Sequence, residues 1–173
     1  KKLAWKTCVK ELFWFIKGNT NNDNLTKQNV HIWDQNASRS FLDSQNLHHL
    51  VEGDLGPIYG HQWRHYNAKY LDCNTNYDSK GVDQLKNVIN LLKDENTRNS
   101  RRIILNAWNP IQINEMALPP CHVLSQYIVK NDELTTILYQ RSGDVGLGIP
   151  FNIASYSFLT HILAKHCKLN AKE

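Results

Sequence analysis

The sequence predicts an α+β fold in which helices pack on a mostly antiparallel sheet. Three observations carry this prediction. Apolar residues crowd at helical spacing near both ends, over 3–17 and 152–167. Between them, residues 122–129 and 134–140 read as two strands of a hairpin around Asn131-Asp132. A third strand is predicted over 102–108, stopped by Asn109-Pro110. Helices thus bracket a run of strands, the arrangement of an α+β domain.

Taken in order, the first helix is marked by Leu3, Trp5, Cys8, Val9, Leu12, Phe13, Phe15 and Ile16, and Gly18 ends it. A short helix is expected after Asp23, followed by an aromatic turn, Ile32-Trp33-Asp34-Gln35-Asn36. Residues 37–53 are polar and read as irregular. Gly53 to Gly60 is punctuated by glycine and reads as an ordered loop. Val82, Leu85, Val88, Ile89 and Leu92 then repeat at helical spacing after Gly81. The last helix is expected over 152–167, with Pro150 just before its start.

Composition narrows the class. The 173 residues suit one domain with a sizeable core, and 41% hydrophobic against 21% charged residues excludes a disordered chain. No apolar run reaches the length of about 18 residues that a membrane helix needs. The net charge of +4 comes from scattered Lys and Arg, so no nucleic-acid stripe is indicated, although a small anion needs only a few arginines. None of the four cysteines falls in a CxxC pair, and no His spacing completes a zinc site. Reduced thiols in an intracellular protein are therefore expected, with the cytoplasm as the first expectation and nucleus or organelle left open. The chain begins inside an amphipathic pattern, without Met or a signal-peptide core, which suggests a piece of a longer chain.

Several residues could carry chemistry. Cys121 follows two prolines in Leu118-Pro119-Pro120-Cys121-His122, at the mouth of a strand. A thiolate is strongly nucleophilic near neutral pH, and neighbouring arginine favours it; buried packing is the competing role. Cys8 and Cys167 lie on apolar helix faces, and Cys73 sits in a polar loop without an activating partner. Tyr139-Gln140-Arg141-Ser142-Gly143-Asp144 leaves a strand for a glycine-rich turn and could cradle a phosphate. Arg101-Arg102 is a second anion candidate, or else solvated surface charge. Glu11 is embedded in an apolar run that would raise its pKa toward general-acid use, unless it faces solvent beside Lys10. Trp33 and Trp63 are core or ring-stacking residues.

As an ordered set these segments are specific. Glu11-Leu12-Phe13-Trp14-Phe15, Ile32-Trp33-Asp34, Gly56-Pro57-Ile58-Tyr59-Gly60-His61-Gln62-Trp63-Arg64, Arg101-Arg102-Ile103-Ile104 and Ala107-Trp108-Asn109 come first. Met116-Ala117-Leu118-Pro119-Pro120-Cys121-His122, the Gln140-Arg141-Ser142 segment and Gly148-Ile149-Pro150-Phe151-Asn152-Ile153-Ala154-Ser155-Tyr156 follow. The sequence strongly resembles thymidylate synthase over essentially its whole length. Asn36, Gly143 and the loop at 38–52 look more like the eukaryotic or large-virus branch.

The resemblance implies reductive methylation of dUMP to dTMP with 5,10-methylenetetrahydrofolate as one-carbon donor and hydride source, and no metal. Cys121 would be the nucleophile at C6 of the uracil. Glu11 would assist proton transfers through water, and Tyr59 would belong to the hydroxyl network near C5. Asn152 and His122 would hold the uracil edge. Arg141 and Ser142, with Gln140, Gly143 and Asp144 beside them, would take the nucleotide and its phosphate. Arg101 and Arg102 would reach that phosphate from a second subunit, which implies a homodimer formed through the sheet. Asp144 would also meet the folate pterin, alongside Ile32, Trp33, Asn36, Leu147, Gly148 and Phe151.

The departures from the family lie at the ends. An N-terminal arginine loop, a His/Tyr motif for the deoxyribose and a closing C-terminal tail do not occur in 1–173, so one domain incomplete at both ends is expected. A fusion with dihydrofolate reductase would suit that reading. Two other functions compete: a pyrimidine nucleotide hydroxymethylase of the same superfamily, and a non-catalytic dimerisation or RNA-binding remnant. Asn152 argues against the first, because that enzyme prefers an acid there. Retention of Cys121, Arg141, Asn152 and Glu11 together argues against the second.

Overall fold

In the computed structural model, which describes residues 3–172, the first helix α1 (Trp5–Ile16) buries Cys8, Glu11, Leu12, Trp14 and Phe15 along one side. It stops where glycine predicts. Gly18 adopts a left-handed φ of +73°, its N–H donates to Phe15 O at 2.9 Å, and Asn19 N–H reaches Trp14 O at 3.2 Å. Three short helices follow: α2 (Asp23–Thr26), α3 (Asp34–Ala37) and α4 (Arg39–Ser44). The last corrects the expectation that 37–53 is irregular. Ser38 Oγ accepts the Phe41 N–H at 3.3 Å, and only Leu42 is anchored in the core. One buried residue leaves no periodicity to read.

Helix α5 (Tyr59–His65) begins inside the predicted loop and continues past it. Its first five residues, Tyr59, Gly60, His61, Gln62 and Trp63, are all buried, and only Arg64 and His65 at its end are partly exposed. Gln62 survives burial because its Nε2 donates to Pro57 O at 2.7 Å and Gln112 Oε1 at 3.0 Å. Beyond α5, Tyr66 and Val82 exchange backbone hydrogen bonds of 2.9 and 3.0 Å, so residues 67–81 leave and return at one point. Tyr70 and Tyr77 stack at 5.6 Å inside this loop and meet His61 edge-on, and Tyr70 Oη donates to Asp54 Oδ1 at 2.7 Å.

Helix α6 (Gln84–Lys93) follows the predicted repeat, burying Leu85, Val88 and Leu92. Asp83 caps it by accepting the Lys86 N–H at 2.9 Å. The same carboxylate takes Arg64 through two bonds of 3.0 and 2.9 Å, and Arg64 Nη1 reaches Ile16 O at 2.6 Å. One arginine thereby ties the end of α1, α5 and the start of α6 together.

The sheet runs β1 (Ile104–Asn106), β2 (His122–Lys130), β3 (Glu133–Gln140), β4 (Asn170–Ala171), in that spatial order. The first three strands are antiparallel, and β4 lies parallel to β3. Asn131 and Asp132 both take positive φ, as a two-residue hairpin turn requires. β1 is shorter than the predicted 102–108, because Ala107 and Trp108 both turn their N–H groups onto Val123 O, where β2 shifts register. β4 has only two residues and gives no sequence signal.

Helix α7 (Gly148–His166) starts four positions before the predicted residue 152, so Pro150 lies within its first turn rather than ahead of it. A proline is tolerated there because the first N–H groups of a helix have no internal partner. α7 packs on the inner face of β3, where Thr160 Oγ1 donates to Thr136 Oγ1 at 2.7 Å, and against α1. The opposite face of the sheet carries Ile104, Ile128, Ile137 and Tyr139, all exposed.

Gly56 decides how the chain reaches the site. Its φ is +73°, and a Cβ would stand 2.1 Å from the Glu115 carbonyl oxygen. The atoms in the way are all backbone of Glu115 and Met116, so Gly56→Ala should cost about 3 kcal/mol or more. Urea unfolding would measure it; a loss within 1 kcal/mol (roughly the scatter of surface substitutions) would show that the loop yields.

Candidate active site

A cavity of about 480 Å³ opens where α1, α5, the start of β2 and the β3–α7 connection meet. Glu11 and Phe15 come from α1, Ile32 and Trp33 from the turn before α3, and Tyr59 from α5. Leu118, Cys121 and His122 enter with the start of β2; Gln140, Ser142, Gly143, Asp144, Leu147, Gly148, Phe151 and Asn152 complete the wall.

Cys121 is held through its backbone. Its N–H donates to Tyr59 Oη at 2.7 Å, and His122 N–H reaches the same oxygen at 3.3 Å. Ala117 N–H donates to Leu55 O at 3.0 Å, tying the preceding strand of chain to the Gly56 loop. On the other side, Arg141 N–H donates to Cys121 O at 3.0 Å. The Arg141 side chain folds back, with Nε on Pro120 O at 2.9 Å, Nη2 on Pro119 O at 2.8 Å, and Nη2 3.7 Å from Cys121 Sγ. The other thiols differ. Cys8 and Cys167 are buried, and burial raises both. Burial, then the Asp54 and Asp72 carboxylates, pushes Cys73 up to about 12.

Glu11 does not face solvent. Burial drives its carboxyl up to about 7, opposed in part by Trp33 Nε1, which donates to Glu11 Oε1 at 2.7 Å. Trp33 is therefore both core and wall, packed on Trp14 and Tyr59 at 6.3 and 6.2 Å, whereas Trp63 is core alone. The raised carboxyl has a consequence for stability. Below about 4.5 both folded and unfolded chains keep the proton; between there and about 7 only the folded chain does. Stability is therefore lost as pH rises through that window. Glu11→Gln keeps the acceptor for Trp33 and removes the charge. It should raise stability at pH 8 by on the order of 3 kcal/mol and have no effect near pH 4. Melting curves across that range would check it; a gap independent of pH would show that Glu11 ionises freely.

Tyr59 accepts two N–H groups, which leaves its own proton to donate, and burial raises its pKa. The His122 ring lies 5.2 Å from both Tyr59 and Tyr156, and burial lowers it to about 4, so the imidazole is neutral. Its Nδ1 has no partner among the described residues. Asn152 Oδ1 accepts Gln140 Nε2 at 2.9 Å, which orients the amide, and Nδ2 has no acceptor at normal distance among the described residues. Asp144 spends one oxygen on α7: Oδ1 accepts Leu147 N–H at 2.6 Å and Gly148 N–H at 3.4 Å, and these bonds hold its carboxyl below the usual range. Its other oxygen has no hydrogen-bond partner at normal distance among the described residues.

Four of the expected residues stand apart from the cavity wall. Asn36 does not line it, and Arg141 touches the cysteine without forming wall. Arg101 and Arg102 are exposed ahead of β1 and do not reach it within this chain. Conversely, Phe15 and Leu118 line the cavity without having been singled out. Phe15 was legible, since it lies one helical turn after Glu11.

The model of the family described as thymidylate synthase matches residues 1–173. Among curated relatives, the chain is 57% identical over its full length to a protein named bifunctional dihydrofolate reductase-thymidylate synthase from Paramecium tetraurelia, covering 37% of that protein. It is 57% identical over 98% of its length to a thymidylate synthase from Ascaris suum, covering 57% of it. A thymidylate synthase from human herpesvirus 8 is 53% identical over 95% of this chain, which covers 48% of it. The chain thus spans between about a third and somewhat over half of these relatives' lengths. With the match running through every segment that builds the cavity, the chain belongs to the thymidylate synthase family.

Proposed function

We propose that the protein carrying this chain methylates dUMP to dTMP, with 5,10-methylenetetrahydrofolate as one-carbon donor and reductant and dihydrofolate as by-product. The observation that carries the reading is Cys121, half-buried on the cavity wall, braced by Tyr59 and Arg141 and sharing that wall with an oriented Asn152 amide. C5 of uracil is too poor a nucleophile to take a one-carbon unit. Addition of the Cys121 thiolate at C6 turns the ring into an enolate, and Asn152 Nδ2 stabilises the charge that gathers on O4. Glu11, half-protonated near pH 7, can give or take a proton at the ring edge, and the Tyr59 hydroxyl can relay one at C5. C5 attacks the folate's methylene carbon, and loss of the C5 proton breaks that carbon's bond to the folate nitrogen. Hydride addition to the exposed methylene then lets Cys121 leave C6 as the free thiolate. The folate supplies the methylene carbon and the hydride that reduces it to methyl. Ile32, Trp33, Leu118, Leu147 and Phe151 offer the apolar walls that a flat pterin and a water-excluding hydride transfer need.

The test is direct. Full-length protein given dUMP and the folate should form dTMP and dihydrofolate in equal amounts. A hydroxymethylated cytosine nucleotide formed from dCMP would favour the superfamily alternative, and no product from either nucleotide would overturn the enzyme reading.

A homodimer belongs to the same proposal. The apolar outer face of the sheet supports it, with Arg101 and Arg102 just before β1. If those arginines serve the neighbouring site, Cys121→Ala and Arg102→Glu subunits, each inactive alone, should regain activity when mixed. Confirmed heterodimers without recovery would count against a shared site. As for fusion, relatives named as bifunctional and as thymidylate synthase alone both reach 57% identity, so identity favours neither arrangement.

A further inference from the structure

Arg141 lies on an exposed segment, where a long side chain would ordinarily sample many rotamers, yet its Nη2 stands 3.7 Å from Cys121 Sγ. Two bonds in the guanidinium plane, to the carbonyls of Pro119 and Pro120, restrain it from one side. Such bonds still allow the group to tilt about the line they define. Trp108 closes that freedom: Arg141 Cζ lies over its indole, 5.7 Å from the ring centroid, within the range of a cation–π contact.

We propose that Trp108 is a positioning residue for the Cys121 thiol, acting through Arg141. A planar cation held on an aromatic face loses none of its N–H donors to that contact. Nη1 of Arg141 has no partner among the described residues, so it remains available to an incoming phosphate while Nη2 stays at the sulfur. The indole would resist the pull of that anion, which otherwise draws the guanidinium off the thiol. The placement of Trp108 does not depend on its own side chain. Its N–H donates to Asn106 Oδ1 at 3.0 Å and Val123 O at 3.3 Å, and its carbonyl accepts Asn106 Nδ2 at 3.0 Å. Asn106 is in turn gripped by Gln84, through bonds of 2.7 and 3.1 Å. The backbone bracket persists whatever stands at 108.

The role in turnover rests on the proposed function, but the geometry does not, and the test separates the two. Alkylation of Cys121 by iodoacetamide, followed by peptide mass in the full-length protein without nucleotide, reads the thiol alone. Trp108→Leu should slow it by about two- to fivefold, the size of a partly exposed cation–π contact, and Trp108→Phe and Trp108→Tyr should restore most of the rate. In an Arg141→Met background, Trp108→Leu should have no further effect. If Trp108→Leu fails to fold, a fluorinated tryptophan at 108 keeps the shape and empties the π face, and it should slow alkylation likewise. An unchanged rate in a folded variant, or an equal loss without Arg141, overturns the proposal. Failure of dTMP formation would overturn the enzyme reading and leave this result standing.

Discussion

Cys121→Ala should remove the covalent complex with 5-fluoro-dUMP and folate and lower turnover by about five orders of magnitude or more, whereas Cys8→Ala and Cys73→Ala should retain both. Cys121 alone combines an arginine at the sulfur with an opening onto the cavity. Cys8 is buried on α1, and Cys73 is held as an inert thiol by burial and the nearby carboxylates. The fluorine matters because C5 then has no proton to lose, so the adduct that normally breaks down is trapped. Intact mass would show nucleotide plus folate on the wild-type chain and neither on Cys121→Ala. A Cys121→Ala protein that still turned over dUMP at near wild-type rate would move the nucleophile elsewhere.

Asn152→Asp should shift preference from dUMP toward dCMP by about two to four orders of magnitude in the ratio of kcat/KM. Gln140 Nε2 fixes the Asn152 oxygen, so the amide presents its NH₂ to whatever lies in the cavity. Uracil offers a carbonyl at C4 and accepts that donor; cytosine offers an amine and does not. A carboxylate would keep the Gln140 bond, lose the donor and gain an acceptor for the amine. The large effect comes from leaving a buried polar group mispaired, which costs more than the bond it replaces contributes. Paired kinetics on the two nucleotides would decide; an unchanged ratio would mean that Asn152 does not read the base edge.

What could be read in advance depended on how local the cause was. Gly18, the Asn131-Asp132 turn and the α6 repeat act over a few residues, and each appears where predicted. α5 was missed because its buried polar side chains are satisfied from afar: Gln62 pairs with Gln112, fifty positions away. The start of α7 was misplaced because its first N–H groups are capped by Asp144, with two residues intervening before Leu147. The site divides the same way. Cys121, Glu11 and Asn152 sit in motifs that the family resemblance singles out, and all line one cavity. Trp108 under Arg141 is a relation between distant segments that no single motif states, whereas the commitment of Asp144 to the start of α7 is local but leaves no hydrophobic periodicity to read.

The loop closed by Tyr66 and Val82 gives the chain a place to vary its length. Because both ends meet in one pair of backbone bonds, added residues between them displace neither α5 nor α6. Doubling such a loop costs only about 0.6 kcal/mol in closure entropy. Tyr70 and Tyr77 anchor its inner part on His61, so the freedom is confined to the exposed tip around Asn74–Asn76 and Asp78–Lys80. Insertions and deletions among natural variants, and an epitope tag or fluorophore placed by design, would be tolerated there without disturbing the cavity.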